Sequence, residues 1–250
     1  MRLCGDPASR TRIASLALIA AALIAGVSCA HIDGDRDPAD PWERMNRGTF
    51  RFNEGADRWV IEPVAKGIDF VIPDPAERSI RKFFNNSMIP VHFANALLQF
   101  KPVSAVEVLA RFLVNTTIGF AGFFDPATHF GLVAHQEDFG QTLGYWGVPS
   151  GPYLVLPLLG PSNPRDTVGL LADSAALVYP WFVPLYVSSA IGVGRQLNLR
   201  SLALDSIAAE RKAALDYYVA VRNAYLSYRE NQVRDREEEE ADDDDLYYID

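Results

Sequence analysis

The sequence predicts a mostly helical, single-domain protein that associates with a membrane surface without crossing it. Three observations lead there. Acid-proline helix starts precede stretches of helical apolar spacing. Glycine and proline then crowd a segment that is nevertheless apolar. Finally, the apolar runs are too short or too interrupted by proline to span a bilayer.

The chain opens with Arg2, Arg10 and Arg12 ahead of an uncharged run from Ile13 to Val27, the pattern of a secretory leader. That run is about 15 residues, short of the ~20 a spanning helix needs. Val27-Ser28-Cys29 resembles a lipobox, with Gly26 where an aliphatic residue is usual, whereas Ser28-Cys29-Ala30 also suits ordinary signal peptidase. On the first reading residues 1–28 are the leader and Cys29 is the lipid-attachment site. On the second, the product is a plain periplasmic protein that has lost Cys29. Cys4 and Cys29 are the two cysteines, so the body needs no disulfide, although an exported chain could use one. Residues 29–39 are polar and read as a lipidated tether.

The formal charge of −9 divides unevenly. The leader carries +2, the segment from Glu230 onward carries −9, and residues 29–229 carry only −2. A nearly neutral body gives no footing for nucleic acid. No linker divides it, so residues 40–229 are read as one domain and 230–250 as a disordered acidic tail.

Asp40-Pro41-Trp42-Glu43 has the form of a capped helix start, and Met45, Thr49, Phe52, Ala56 and Trp59 then give one apolar face until Pro63. Asp74-Pro75-Ala76-Glu77 repeats the device, with Ile80, Phe83 and Phe84 on the expected buried side. Pro90 and Pro102 each read as the first residue of a further helix, carrying Phe93, Leu97 and Phe100, and Val106, Leu109 and Leu113. From Gly119 to Pro164 regular helix is interrupted, yet Leu154 to Leu159 are all apolar, which predicts a packed irregular segment. Residues 167–194 hold one charge, Asp173, but Pro180 and Pro184 cut the run; Tyr179, Trp181, Phe182 and Tyr186 suit a headgroup level, and a buried core hairpin is the alternative. A long last helix is expected from about Leu202 to Tyr228.

Catalytic signatures are missing: there is no Gly-x-Ser-x-Gly, no His-Glu-x-x-His and no phosphate-binding glycine loop. His92 beside Phe93 reads as a core histidine, and His135 near Glu137 and Asp138 is a weak pattern for a metal or an acid/base pair. The chain is therefore read as a non-enzyme without a cofactor. Arg165-Asp166 allows two readings: a helix start with Asp166 near its N-terminus, or charges that meet lipid headgroups or line a polar passage.

One set of residues carries a resemblance. Asp40-Pro41 with Glu43, Asn46-Arg47, Phe52-Asn53, Asn115-Thr116-Thr117-Ile118-Gly119 and Phe124-Asp125-Pro126-Ala127 lead to the block from Glu137. That block holds Phe139-Gly140-Gln141-Thr142-Leu143-Gly144, Gly147, Gly151-Pro152-Tyr153, Pro157, Gly160-Pro161-Ser162 and Arg165-Asp166. Over residues 40–229 the chain resembles the MlaA (VacJ) family of outer-membrane lipoproteins. The resemblance implies a ring-like arrangement of amphipathic helices around a central channel, lying on the periplasmic face of the outer membrane. It implies passage of mislocalised phospholipid from the outer leaflet to a periplasmic carrier protein, beside an outer-membrane porin. The residues expected to handle lipid are Phe52, Asn53, Asn115, Thr116, Gly119, Asp125, Gly140, Thr142, Gly144, Gly147, Gly151, Pro152, Tyr153, Arg165 and Asp166. The competing readings are a structural or porin-stabilising envelope lipoprotein and a cell-envelope lipid hydrolase.

Overall fold

The computed structural model describes residues 37–177 and 184–235. The leader, Cys29, the tether to 36, Tyr179, Trp181, Phe182 and the tail from 236 lie outside the described residues.

Helix α1 (Glu43–Ala56) follows Asp40, but Asp40 does not cap it. Its carboxylate is fully buried, accepting from Asn46 Nδ2 at 2.8 Å and from the Tyr218 hydroxyl, with Arg222 Nη1 at 3.4 Å. A buried guanidinium and hydroxyl outcompete the helix N-terminus for this acid. Nor does the helix stop at Pro63. Residues Asp57–Ile61 form a π-helical turn that runs on into α2 (Glu62–Val71), with Pro63 just after the widened turn. The π turn loosens the hydrogen-bond ladder where proline cannot donate to it.

Helix α3 (Asp74–Leu98) passes through Pro90, where the sequence predicts a new start. An interior proline costs ~3 kcal/mol, and packing against α4 (Pro102–Thr117) holds the helix together across it. Glu77, at the expected capping position, is buried and accepts from Ser201 Oγ at 2.8 Å. The glycine-proline segment contains only short elements: α5 (Pro126–His129), α6 (Phe139–Tyr145), and the antiparallel hairpin of β1 (Leu154–Leu156) and β2 (Gly160–Ser162), which pairs Val155 with Pro161. Helix α7 (Pro164–Ala176) follows. Helix α8 (Leu185–Leu202) comes next, and the single last helix expected from about Leu202 to Tyr228 is divided into α9 (Leu204–Ala213) and α10 (Tyr217–Val233). The break before α10 is made by Asp216, which caps it by accepting from Val219 N at 3.2 Å. Helix α3 packs on α4, α6 on α7, and α2 and α3 on α8; α10 meets α6 and β2, and α1 meets β1.

What these contacts bury is the reverse of a water-soluble core. Most of the fully buried aliphatic positions are small, such as Ala65, Ala96, Ala105, Ala127, Val91 and Val108; Tyr153, Val155, Leu156 and Tyr218 gather at the hairpin. Buried beside them are Asn95, Gln99, Arg111, Asn115, Glu137, Gln141, Arg165, Arg222 and Arg229. Meanwhile Trp59, Phe70, Phe100 and Phe120 are 81%, 90%, 79% and 74% exposed. The apolar stripe of α4, Val106, Leu109 and Leu113, faces out, while Ala105, Val108, Arg111 and Asn115 face in. On α1 and its π extension Phe52 and Trp59 likewise point outward, and on α3 Leu97 does, while Ile80, Phe83 and Phe84 are half-buried. Among the described residues no helix is long and apolar enough to cross a membrane.

Candidate functional site

The polar interior is organised by helix starts. Asp138 caps α6, accepting from Gln141 N at 2.8 Å, and Asn163 caps α7, accepting from Asp166 N at 2.8 Å. The two caps lie side by side because the helices cross at glycines. A Cβ on Gly169 would strike the Gly140 nitrogen and stand 2.7 Å from its Cα. Only hydrogen at Gly169 permits this approach, while a Cβ on Gly140 would stand 2.7 Å from Asp166 Oδ1. Arg229 of α10 reaches into the crossing, with Nη1 2.6 Å from Asp138 and Nε 2.8 Å from Asp166. Tyr225 donates its hydroxyl to Asp166 at 2.7 Å, and Arg165 Nη2 lies 3.0 Å from the other Asp166 oxygen.

This knot of two carboxylates and two guanidiniums balances its own charge, with Arg165, Asp166 and Arg229 buried and Asp138 at its partly exposed edge. Burial alone raises the Asp166 carboxyl, but hydrogen bonds and charge from Arg229, with Tyr225 and Arg165, outweigh it and hold the group at about 2. Asp138 is lowered for the same reasons, with burial opposing Arg229. The opposite case lies close by. Burial raises Asp173, and the Asp138 charge adds to this, against donation from Phe139 N and Asn95 Nδ2. Thr142, fully buried, donates to Asn95 Oδ1 at 2.9 Å and accepts from Gln99 Nε2 at 3.1 Å. Gln99 also donates to Glu137, which pairs with Lys101 at 2.8 Å.

A second cluster fixes the end of α4. Asn115 donates to Asp125 at 2.8 Å and accepts from Ala127 N at 3.1 Å; Arg111 Nη2 meets Asp125 at 2.6 Å, and Asp125 caps α5. Thr116 accepts from Asn86 Nδ2 at 3.0 Å, and Gly119 is packed so that a Cβ would stand 2.5 Å from the Asn115 carbonyl oxygen. The third cluster holds the hairpin. Asn53 donates to Leu156 O at 2.9 Å and accepts from Leu158 N at 2.7 Å, gripping both sides of the turn. Asn46 does the same one helical stretch earlier, donating to Tyr153 O and accepting from Val155 N, both at 3.0 Å.

The expected site residues therefore fall into three groups. Gly140, Thr142, Gly144, Arg165 and Asp166 meet at the crossing of α6 and α7. Asn115, Thr116, Gly119 and Asp125 meet at the end of α4. Asn53 and Tyr153 meet at the hairpin, with Pro152 beside it, while Phe52 projects outward from α1. Gly147 and Gly151 have φ of 87° and 72° in the loop between α6 and β1. Asp166 stands in the first turn of α7 and Arg165 beside it is buried, so the helix-start reading of the pair describes its surroundings. Sequence reasoning missed Asp138, Asn163, Tyr225, Arg229 and Arg111. The signal was available on α10, where Tyr218, Arg222, Tyr225 and Arg229 follow at steps of four, three and four and put two arginines inside a tyrosine stripe.

Neither His92 nor His135 shares a side-chain hydrogen bond with the carboxylates of these clusters. His135 Nε2 pairs with Glu107 at 2.6 Å, not with Glu137 or Asp138, and His92 Nδ1 lies 2.8 Å from the Glu137 carbonyl. Among the described residues there is no group of three or more His, Cys, Asp or Glu able to hold a metal ion. Alongside the knot, a cleft of about 710 Å³ follows α9 and α10, lined by Pro161, Ala214, Tyr217, Val221, Tyr225 and Tyr228 among others. Tyr225 thus shows its ring to the cleft and its hydroxyl to Asp166.

Helices with apolar side chains outward around a hydrogen-bonded polar interior define a class of protein suited to an apolar surrounding without spanning it. The chain belongs to the MlaA lipoprotein family, whose family model matches residues 38–232. A Haemophilus influenzae relative, called intermembrane phospholipid transport system lipoprotein MlaA, is 32% identical, covering 90% of this chain and 92% of its own. The Escherichia coli K12 protein of the same name is 33% identical over 87% of this chain and 86% of its own. A solved structure described as the structural basis for maintenance of bacterial outer membrane lipid asymmetry superposes with a TM-score of 0.70 at 31% identity, covering 79% of this chain and all of that one.

Proposed function

We propose that this chain is a phospholipid-transport lipoprotein that removes mislocalised phospholipid from the outer leaflet of the outer membrane and passes it to a periplasmic carrier. It sits on the periplasmic face, anchored through Cys29, with its helices in a ring around a channel and an outer-membrane porin beside it. The observation that carries this reading is the inverted packing. Large apolar side chains on α1, α3 and α4 face outward, where burial in acyl chains gains ~25 cal/mol per Å². Ionised and amide groups face inward, and those at the crossing of α6 and α7 pair with one another. An irregular backbone at membrane depth is tolerated where it is buried in protein or borders a wet cavity, and the loops carrying Gly147 and Gly151 fit that place. The relatives named for intermembrane phospholipid transport support the same reading.

The test is the phospholipid content of the outer leaflet in cells with and without the gene. Transport requires accumulation on deletion and recovery on complementation. Unchanged surface lipid supports a structural or porin-stabilising role instead, and phospholipid cleavage by purified protein supports a hydrolase. Mass spectrometry of the mature N-terminus tests the anchor: a chain starting at His31 without lipid removes Cys29 from the proposal.

A further inference from the structure

We infer that the outward face of α1 and its π turn docks on anionic phospholipid headgroups, whose phosphates are met by Arg44, Arg51 and Arg58. The inference rests on the reading of the chain as a protein held against a membrane, and it adds a standing lipid contact that is not part of transport. The three arginines recur every seven residues, and all three are exposed. A straight helix drifts only ~20° in seven residues, so the guanidiniums leave one side of the helix. They follow one another about 10 Å apart along its axis.

The acids of the same stretch are all committed elsewhere. Glu43 pairs with Arg47 at 2.7 Å, Glu54 with Arg211 at 2.9 Å, Asp57 with Arg200 at 2.9 Å and Arg211 at 2.7 Å, and Glu62 with Lys66 at 2.7 Å. Arg47, the fourth arginine of this stretch, turns to Asp216 at 2.8 Å. Arg44, Arg51 and Arg58 have no hydrogen-bond or ion-pair partner among the described residues. A helix face turned to water ordinarily mixes both signs of charge. This one carries a single sign.

Aromatic and glycine positions keep the same register. Phe52 follows Arg51 and Trp59 follows Arg58, and both rings are exposed. Such pairs suit the headgroup level, where a ring rests on the acyl boundary and a guanidinium reaches out to phosphate. Gly48 stands between Arg44 and Arg51, and Gly55 between Arg51 and Arg58. Both lie on the exposed side of α1, and a Cβ on either would meet nothing within 4 Å. Neither has a positive φ, so neither packing nor backbone shape calls for a glycine, which weakens an exposed helix relative to alanine. Bare backbone there leaves room for a phosphate to come close to the helix and be reached by the arginine on either side. An acidic protein would match the charge but not the rings interleaved with it; an anionic bilayer interface matches both. The tether that ends at residue 39 leads straight into α1, so an anchor at Cys29 keeps this face near the membrane.

The full-length lipoprotein is reconstituted in phosphatidylcholine vesicles with trace spin-labelled phosphatidylglycerol or phosphatidylethanolamine, and the motionally restricted fraction of each is read by electron spin resonance. Phosphatidylglycerol is expected to be preferred by about fivefold, which is ~1 kcal/mol, and the preference to shrink at high salt. Arg44→Gln, Arg51→Gln and Arg58→Gln together are expected to abolish it. Lys82→Gln, Lys212→Gln and Arg234→Gln together take the same charge from exposed positions elsewhere and are expected to keep it. Gly48→Leu with Gly55→Leu is expected to reduce the preference while helical content stays unchanged, since each new Cβ enters open space. Equal restriction of both lipids by the wild-type protein overturns the proposal. So does a preference that survives loss of the three arginines, or one that falls equally in the control. If the glycine pair leaves the preference intact, the close approach to backbone is wrong. A photoreactive group at position 48 that labels an acidic protein in membranes, without lipid preference in vesicles, gives the face to that protein and overturns the lipid reading. The vesicle measurement also separates from transport. A preference carried by the arginines in a protein whose deletion leaves surface phospholipid unchanged refutes transport alone, and normal transport without the preference refutes the docking face alone.

Discussion

Where α6, α7 and α10 meet, two carboxylates, two guanidiniums, a tyrosine and an asparagine share a small space closed by glycines. On the outer face of α4, Val106, Leu109 and Leu113 stand in a row, each exposed among the described residues. In a water-soluble protein these two regions would trade places. Stability in the first is pairwise and directional, since each charge is tolerated only because its partner is there. In the second it comes from the surroundings, in proportion to area, and no single side chain is decisive. The two regions should therefore respond differently to substitution, pH and detergent.

The largest effect is expected for Arg229→Ala, which takes the guanidinium from Asp138 and leaves the buried Asp166 to Arg165 alone. Breaking such a pair costs ~3–5 kcal/mol, and thermal unfolding in a fixed detergent should show it. An unchanged melting temperature would mean that the knot contributes nothing. Gly169→Val comes next at ~1–3 kcal/mol or more, because the new Cβ meets backbone, which cannot swing away. Gly144→Val should be milder. Its Cβ meets Arg165 Nη1 at 2.9 Å and Val233 Cγ1 at 2.8 Å, both movable side-chain atoms. It is expected to leave a folded, membrane-localised protein with impaired lipid removal, so abundance and surface phospholipid must be measured together.

Acid sharpens the comparison. Asp166 titrates lower in the folded chain than unfolded, so its contribution is present above the unfolded value of ~3.9 and is lost as pH falls toward about 2. The loss is roughly 2 kcal/mol. Asp173 and Glu77 are raised by burial and run the other way, with folding relieved of their charge as they protonate. Wild-type protein should lose stability between about pH 4 and pH 2, and Asp166→Asn should lose less over that window despite starting lower. The smallest effects belong to the surface. Leu113→Gln should change unfolding by no more than ~0.5 kcal/mol while reducing partition into vesicles. His135→Ala, breaking a half-exposed pair with Glu107, should cost ~0–1 kcal/mol and leave lipid removal intact.

Much of the helical outline was legible in the sequence. Pro102 begins a helix as its fixed φ suggests, and the glycine-proline segment holds only short elements. Pro90 misleads because a proline signals a start only when nothing else supports the ladder, and α4 supports it here. Asp40 and Glu77 mislead because a carboxylate that can reach a buried arginine, hydroxyl or serine leaves the helix end. The stripes of apolar residues were visible as stripes, but periodicity gives a face and not the medium it meets. Inward-facing Arg111, Arg222 and Arg229 were the available clue to the inversion. The site residues emerged mainly as motifs; their partners lie as far as 107 residues away, as Asn46 does from Tyr153, and spacing along a chain carries no such distance.

The π-helical turn at Asp57–Ile61 has a consequence for length. Such a turn holds one residue more than the α-helical ladder needs, so removing a single residue there would yield a regular helix and leave the chain uninterrupted. Because the wide turn absorbs that residue, everything beyond would keep its angle around the helix axis. Arg211 now joins Glu54 before the turn, Asp57 within it and Glu62 after it, and Arg200 reaches Asp57 and Glu62. After such a deletion Glu62 would stay at this joint, and α2 would still bury Ala65 and expose Phe70. The surplus residue is therefore confined to the turn, whereas the same deletion in the regular part of α1 would rotate everything beyond by about 100° and carry Ala65 off its buried side.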